Sequence, residues 1–226
     1  MLAAVVAVAA CVFGCDPLVN ATFSSRTYPT GAAPIERLLV VARVKSRAFD
    51  DSMSQGFETG LVRRLGVCGV QSRVMYNDGM DLDFEQRMSE ITKEFQPGAA
   101  MEIKALGGDI YSTNGTVTNA HLLFELKILY LESNQLTWLA RSAFDFHTGS
   151  IDEDAWNAGV EFATHIISRI RDDGVLPHCP AAGTRWPELD FCREGRRRKV
   201  EEIKHVRDDR ERRLLLEALP VCMPSR

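Results

Sequence analysis

The segment 120–130 constrains the fold of this chain most, because its apolar residues recur at every second position. These apolar positions are Leu122, Phe124, Leu126, Ile128 and Tyr130, and His121, Glu125 and Lys127 lie between them. A period of two is typical of a strand with one buried face. Ser133 and Asn134 predict a turn. The alternation then continues in Trp138, Ala140, Ser142, Phe144 and Phe146, so the pattern predicts a long antiparallel hairpin.

Five shorter elements are predicted before this hairpin. Segment 35–44 is rich in leucine and β-branched residues and is typical of a largely buried strand. A helix follows from a capping box at Ser52, and its apolar face is Met53, Phe57, Leu61 and Leu65. Segment 67–76 predicts a second strand and segment 99–105 a third. Between them, one face of a second helix is formed by Phe84, Met88, Ile91 and Phe95.

A third helix is predicted after the hairpin. It opens at a capping box that begins with Ser150, and its apolar stripe is Trp156, Val160, Ala163, Ile167 and Ile170. Asp173 and Gly174 end it, and Pro177 forbids its continuation. The predicted fold class is α/β with α+β character: a mixed sheet of β-α-β-α-β order, a long antiparallel hairpin and a following helix, with helices mostly on one face.

The amino terminus predicts a targeting segment rather than part of the fold. Residues 2–14 form an apolar run of thirteen residues, which is too short to span a bilayer but has the length of a signal-peptide core. The run ends at Cys15 in a pattern that resembles a bacterial lipobox, and Cys11 is preceded by a similar pattern. The expected Lys or Arg before the run is missing, and a secretory signal with incidental cysteines is the alternative.

Cys15 is the preferred acyl acceptor, because cleavage there leaves an even number of cysteines for an oxidising compartment. Those four are Cys68, Cys179, Cys192 and Cys222. The predicted organisation is a lipoprotein signal peptide at 1–15, a tether at 16–34, the α/β domain at 35–177 and a cysteine-containing basic helical tail at 178–226. This order predicts a membrane-anchored protein of the bacterial envelope that faces the periplasm. Asp16 does not decide between the inner and the outer membrane.

The element order and the hairpin Leu129-Tyr130-Leu131-Glu132-Ser133-Asn134-Gln135-Leu136-Thr137-Trp138-Leu139-Ala140 resemble those of small, mostly uncharacterised proteobacterial envelope lipoproteins. A more distant likeness is to the amino-terminal α/β domain of the Tol periplasmic protein and to the curli secretion lipoprotein. The resemblance covers roughly residues 1–177. It implies an assembly or scaffold role with an envelope protein as partner, and it carries over no catalytic residue.

The residues that could carry chemistry do not form a recognisable catalytic motif. The segment 60–69 lacks the Lys-Ser/Thr pair of a phosphate-binding loop, so its glycines are interpreted as helix punctuation. Asp78, Asp81 and Asp83 lack the spacing of a calcium loop and are interpreted as turn and helix-start residues. No two histidines stand three or four positions apart. The prediction is therefore no catalytic residue, no metal and no cofactor.

Cys179 and Cys192 are the predicted disulfide, although four cysteines allow three connectivities. Segment 193–213 holds ten Lys or Arg against six Asp or Glu, a local charge of +4 in a chain whose net charge is −4. This tail is interpreted as a solvated helix, with anionic lipid or an acidic partner as the alternative. The overall acidic balance carries no nucleic-acid signature.

Three functions remain open. The first is a non-enzymatic, lipid-anchored envelope protein that acts as an assembly, scaffold or interaction module. The second is a periplasmic lipoprotein that binds an apolar ligand, and the third is a soluble enzyme with a misread amino terminus. A dominant exposed aromatic patch on the hairpin would favour the first, whereas a closed apolar cavity would favour the second. Titratable groups that converge in a cleft would favour the third.

Overall fold

The computed structural model describes residues 19–29, 33–44, 51–77, 81–113, 116–147 and 152–181. Within these ranges the chain forms six strands and three helices, and the predicted α/β class with a mixed sheet is confirmed. In chain order they are β1 (Val19–Thr27), β2 (Arg37–Arg43), α1 (Asp51–Val67), β3 (Gln71–Tyr76), α2 (Phe84–Phe95), β4 (Ala99–Thr113), β5 (Thr116–Tyr130), β6 (Gln135–His147) and α3 (Asp152–Asp172).

The sheet has the order β1-β6-β5-β4-β2-β3. Strand β2 is parallel to both of its neighbours, β3 and β4, whereas the other pairs are antiparallel. Parallel neighbours need a crossover connection, and α1 and α2 lie in the two connections that link β2 to β3 and β3 to β4. The β5–β6 hairpin is the predicted one, and Asn134 in its turn has a φ of +51°.

The main core lies between the sheet and the pair α1 and α3. Phe162 of α3 packs against Phe124 of β5 and Phe144 of β6, with ring centroids 5.1 and 4.4 Å away. Helix α2 covers the opposite face of β2 and β3, where Phe84 joins Leu39, Val41 and Met75 in a second cluster. Strand β2 is thus covered on both faces, which explains why its apolar run is continuous rather than alternating.

Helices α1 and α3 approach each other through glycines. The carbonyl oxygen of Trp156 occupies the space that a Cβ at Gly56 would need, and backbone atoms of Met53 and Phe57 do the same at Gly159. A Cβ at Gly60 would lie 3.0 Å from the Cα of Val160. The interpretation of Gly60 as helix punctuation is wrong, because this glycine lies inside α1 at a helix–helix contact.

The predicted tether at 16–34 is wrong for its central part, because Val19–Thr27 is a strand of the sheet. Val19 pairs with Phe146 and Thr27 with Trp138, so β1 forms the outer edge beside β6. The side chains that point away from the helices are polar and exposed: Asn20, Thr22, Ser24 and Arg26. An edge strand with one solvated polar face gives a weak apolar signal, which is why the composition resembled that of a linker.

Strand β4 is longer than its predicted range of 99–105. It continues to Thr113 through a bulge at Leu106 and through Gly107 and Gly108. Gly108 has a φ of +147°, and the backbone of His121 on β5 lies where its Cβ would be. Glycine weakens a strand in its interior and often marks a bulge or a close backbone approach, so the sequence pattern ends before the strand does.

Candidate functional site

A polar stripe on α3 holds the edge strand β1 in place. Its members stand four residues apart and therefore share one face of the helix: Glu161, His165, Arg169 and Asp173, the last just beyond the helix end. The backbone N–H of Val19 donates to Glu161 Oε2 at 2.9 Å, and His165 Nε2 lies 3.0 Å from the carbonyl oxygen of Val19. Farther along, Arg169 Nη2 donates to Ser25 Oγ at 2.6 Å.

The stripe ends in a hydrogen-bonded network around Asp173. The indole Nε1 of the buried Trp138 donates to Asp173 Oδ2 at 2.7 Å, and Arg169 Nη2 lies 3.0 Å from Asp173 Oδ1. Desolvation alone would raise the pKa of Asp173, but hydrogen bonds with Ser25, Trp138 and Arg169 outweigh it and hold the pKa below its ordinary value. The tryptophan of the predicted hairpin is thus fixed to the end of α3.

The disulfide of Cys179 differs from the predicted one. Its partner is Cys68, which is 111 residues away in sequence, and not Cys192. Cys68 follows the last residue of α1 and Cys179 follows α3, so the packing of these two helices brings the thiols together. A short sequence separation favoured Cys192, but proximity in the fold decides the pairing. Cys192 itself lies outside the described residues.

The face of the sheet opposite α1 and α3 is covered by α2 only over β2 and β3. We call the remainder, on β4, β5, β6 and β1, the open face. Its side chains form cross-strand ion pairs: Glu102 with Lys127, Glu125 with Arg141 at 3.6 Å and His121 with Asp145 at 2.6 Å. Arg43 at the end of the neighbouring strand β2 also pairs with Glu102, at 3.0 Å. Solvated pairs of this kind contribute only about 0–1 kcal/mol each. The open face is therefore a charged surface rather than a second core.

Exposed apolar side chains concentrate on the far half of the β4–β5 hairpin. Among the described residues, four of the seven large exposed hydrophobic side chains lie there: Leu106, Ile110, Tyr111 and Leu123. This half extends past the end of β2, whose last paired residue, Arg43, stands opposite Lys104. The sequence pattern did not reveal this patch, because the predicted third strand ended at residue 105.

A groove of about 650 Å³ lies at the opposite end of the sheet. Tyr130 contributes to its wall and donates a hydrogen bond to the carbonyl oxygen of Ala33 at 2.7 Å. The lining combines prolines and small residues with polar ones: Pro29, Ala33, Pro34, Ile35, Pro97, Gly98, Tyr130, Glu132, Ser133 and Gln135. An open groove of this composition is not the closed apolar cavity that would favour a hydrophobic ligand.

The described residues bring together no catalytic constellation that we can recognise. Within the described ranges, no group of three or more His, Cys, Asp or Glu residues could hold a metal ion. Asp81 pairs with Arg87 of α2, and its Oδ1 accepts a hydrogen bond from the backbone N–H of Asp83 at 3.1 Å. Asp81 has the turn role inferred from the sequence, and Asp83 is the N-cap residue of α2, although its side chain makes no capping hydrogen bond. The third, Asp78, lies outside the described residues.

The predicted acyl acceptor Cys15 and its alternative Cys11 lie outside the described residues, as do the signal peptide and the basic tail from residue 182 onwards. Their roles stay predictions. None of the helices in the described part of the chain has the length and apolar character of a transmembrane span.

No protein-family model matches this sequence, and no curated protein matches it. Three solved structures are similar in part. The PelC dodecamer from Paraburkholderia phytofirmans is 10% identical, with a TM-score of 0.40 over 70% of this chain and 98% of its own. Lipoprotein GNA1162 from Neisseria meningitidis is 12% identical, with a TM-score of 0.35 over 60% of this chain and 97% of its own.

The third, a minor lipoprotein from Acinetobacter baumannii, is 16% identical, with a TM-score of 0.27 over 60% of this chain and 91% of its own. Two of these three proteins are thus bacterial lipoproteins. Because the identities and TM-scores are low, we assign no property of these proteins to this chain.

Proposed function

We propose that this protein is a non-enzymatic, lipid-anchored component of the bacterial envelope that acts as an assembly, scaffold or interaction module. The observation that carries the proposal is the Cys68–Cys179 disulfide, which ties α1 to the end of α3. Structural disulfides persist in oxidising compartments such as the periplasm and are rare in the cytosol. The apolar leader that ends at Cys15 supplies the route to that compartment.

The position of β1 supports a short anchor. Only residues 16–18 separate Cys15 from Val19, the first residue of β1. In an extended chain, the four residue-to-residue steps from Cys15 to Val19 span at most about 14 Å. The stripe on α3 holds β1 to the domain. Acylation at Cys15 would therefore keep the sheet close to the bilayer, whereas acylation at Cys11 would double the allowed distance to about 29 Å.

The open face of the sheet is the surface that we assign to a protein partner of the envelope. Protein interfaces that are not obligate resemble ordinary protein surface in polarity, and complementary charges give them specificity. Rows of positive and negative side chains at fixed strand spacings offer such a pattern. The groove near Tyr130 is open and partly polar, so the alternative of an apolar ligand has less support.

The anchor is tested by intact-mass analysis of protein that is expressed in a bacterium with its own leader. We expect the added mass of a diacylglyceryl and a fatty-acyl group, present in the wild type and in Cys11→Ala but lost in Cys15→Ala. Loss of the added mass in Cys11→Ala alone would show that Cys11 is the acyl acceptor. An unmodified chain that begins at Met1 would contradict both the anchor and the envelope location.

The interaction surface is tested with two charge reversals in the anchored protein. Arg141→Glu changes the open face, and Lys93→Glu changes an exposed residue on α2, which covers β2 and β3 and lies outside the open face. After chemical cross-linking in cells, we expect the wild type and Lys93→Glu to recover the same defined envelope partner, and Arg141→Glu to lose it. Equal recovery in all three would exclude the open face as the binding surface.

A further inference from the structure

We propose that the far end of the β4–β5 hairpin rests on the surface of the bilayer beside the acyl anchor, with Ile110 and Tyr111 in the lipid head-group region. This inference deepens the proposed function and rests on the lipid anchor at Cys15. It assigns a second membrane contact to the folded domain itself and fixes which end of the sheet faces the lipid.

The strand register places the start of β1 and this part of the hairpin at the same end of the sheet. Val19 pairs with Phe146, Phe146 with Ala120, and Ala120 with Ile110, so these residues form one row across four strands. Adjacent strands are about 4.8 Å apart, so Ile110 lies roughly 14 Å to the side of Val19.

The direction of the strands gives the height of the hairpin relative to the anchor. Strand β4 runs from Met101 towards Thr113, antiparallel to β1, so it points in the direction from Thr27 to Val19, the end of β1 that is nearer to Cys15 in sequence. From Ile110 to Thr113 it extends about 10 Å beyond the row of Val19, at about 3.4 Å per residue. Cys15 reaches at most about 14 Å beyond that row. A bilayer that holds an acyl chain on Cys15 therefore comes within reach of the hairpin.

The side chains at this end suit a lipid surface. Tyr111 is 59% exposed and Ile110 is 40% exposed. Tyrosine is enriched at membrane interfaces because its ring is apolar and its hydroxyl reaches water. The sequence from Ile110 to Ala120 has no Asp, Glu, Lys or Arg, in a chain that is 26% charged, so contact with the interface would not desolvate a charged side chain there.

The opposite end of the sheet offers a matched control. Leu131 lies in the β5–β6 turn and is 42% exposed, close to the exposure of Ile110. Its neighbour Glu132 is exposed and charged. If exposed apolar residues alone decided contact with lipid, Leu131 would behave as Tyr111 does. If the anchor orients the domain, only the hairpin end meets the bilayer.

The experiment uses the acylated full chain, extracted from bacterial membranes and reconstituted in vesicles of phosphatidylethanolamine and phosphatidylglycerol that contain brominated phosphatidylcholine. Tyr111→Trp and Leu131→Trp each add one fluorophore, and the wild-type signal of Trp138, Trp156 and Trp186 is subtracted. Bromine quenches tryptophan at short range. We expect brominated lipid to quench most of the added fluorescence of Tyr111→Trp, whose emission also shifts to the blue, and to leave that of Leu131→Trp unchanged.

Intact mass and circular dichroism are measured on the same samples. If Cys15 is acylated and both variants are folded, but Tyr111→Trp is not quenched, the hairpin contact is excluded while the proposed function stands. Equal quenching of both variants would exclude an oriented domain. If the mass shows no acyl group, the proposed function and this inference fail together.

Discussion

At the scale of single residues, Asp173 shows how one side chain joins three elements. It ends α3, accepts the indole N–H of Trp138 on β6, and pairs with Arg169, which in turn donates to Ser25 on β1. The carboxylate is favoured over the neutral acid because these donors outweigh its desolvation. Its charge therefore contributes to the stability of the folded state.

We expect Asp173→Asn to lower the free energy of unfolding by about 1–3 kcal/mol near neutral pH, because a charged acceptor is lost. The pKa of Asp173 in the folded state lies below its unfolded value, so its contribution is present above about pH 4 and is lost as the pH falls through the folded pKa. Urea denaturation at about pH 7 and about pH 3 should show the difference between wild type and variant shrinking in acid.

The control for that measurement is Asp145→Asn. Asp145 lies 2.6 Å from His121, the side chains of both residues are nearly half exposed, and such surface pairs contribute about 0–1 kcal/mol. If both variants changed stability equally, the network around Asp173 would have no special role.

The Cys68–Cys179 disulfide makes a second prediction at the residue scale. Peptide mapping of the unreduced protein should recover a cross-linked peptide that contains these two cysteines. Because the bridge closes a loop of 111 residues, its reduction should lower the free energy of unfolding by about 3–5 kcal/mol. Cys222→Ser should leave this loss unchanged. A Cys179–Cys192 peptide would contradict the pairing.

At the scale of elements, the contact between α1 and α3 depends on glycines, which have no side chain. Gly56 and Gly159 meet the backbone of the opposite helix with no room for a Cβ. Apolar periodicity identified both helices but not this close approach, because a glycine inside a helix is unfavourable by itself and gives no apolar signal. The cost of these glycines in helix propensity is offset by backbone packing.

We expect Gly159→Ala to destabilise the protein by more than about 2 kcal/mol, because its methyl group would force the two helices apart. Gly66→Ala is the matched control within α1, since nothing lies within 4 Å of a Cβ at that position. It should be neutral or stabilising by up to about 1 kcal/mol. Thermal unfolding of the two variants checks this. Similar losses of stability in the two variants would show that the close contact between α1 and α3 does not determine the stability.

At the scale of the whole molecule, β1 is the strand that follows the proposed anchor at Cys15. It pairs with β6 over nine residues and is hydrogen-bonded to the polar stripe of α3. A tether would leave the domain free to turn on the membrane, whereas a strand in the sheet transmits the position of the anchor to the whole fold. The orientation proposed for the β4–β5 hairpin depends on this difference.

A chain that begins at Tyr28 tests whether β1 belongs to the domain. Without β1, strand β6 becomes an unpaired edge, and such edges pair with other chains. We expect this variant to aggregate, as measured by light scattering and size-exclusion chromatography, whereas a chain that begins at Asp16 stays soluble. If both chains were equally soluble and stable, the segment would be dispensable, as a tether is.

The sequence by itself predicted most of the elements. The β5–β6 hairpin and the three helices were predicted because burial of one face leaves a period of 2 or 3.6 in the chain, and β2 was predicted from a continuous apolar run. It also predicted that Cys179 is in a disulfide and that Trp138 lies on the hairpin. The lipid anchor at Cys15 rests on sequence alone.

Only the tertiary structure decided which distant segments meet. The polar edge strand β1, the extension of β4 past its glycines, the partner of Cys179 and the row that joins Val19 to Ile110 depend on contacts between residues far apart in sequence. Such contacts leave no periodic trace, because a hydrogen bond to α3, a glycine without a side chain or a thiol 111 residues away does not change the local apolar pattern. The proposed membrane-facing end of the sheet became visible only through that register.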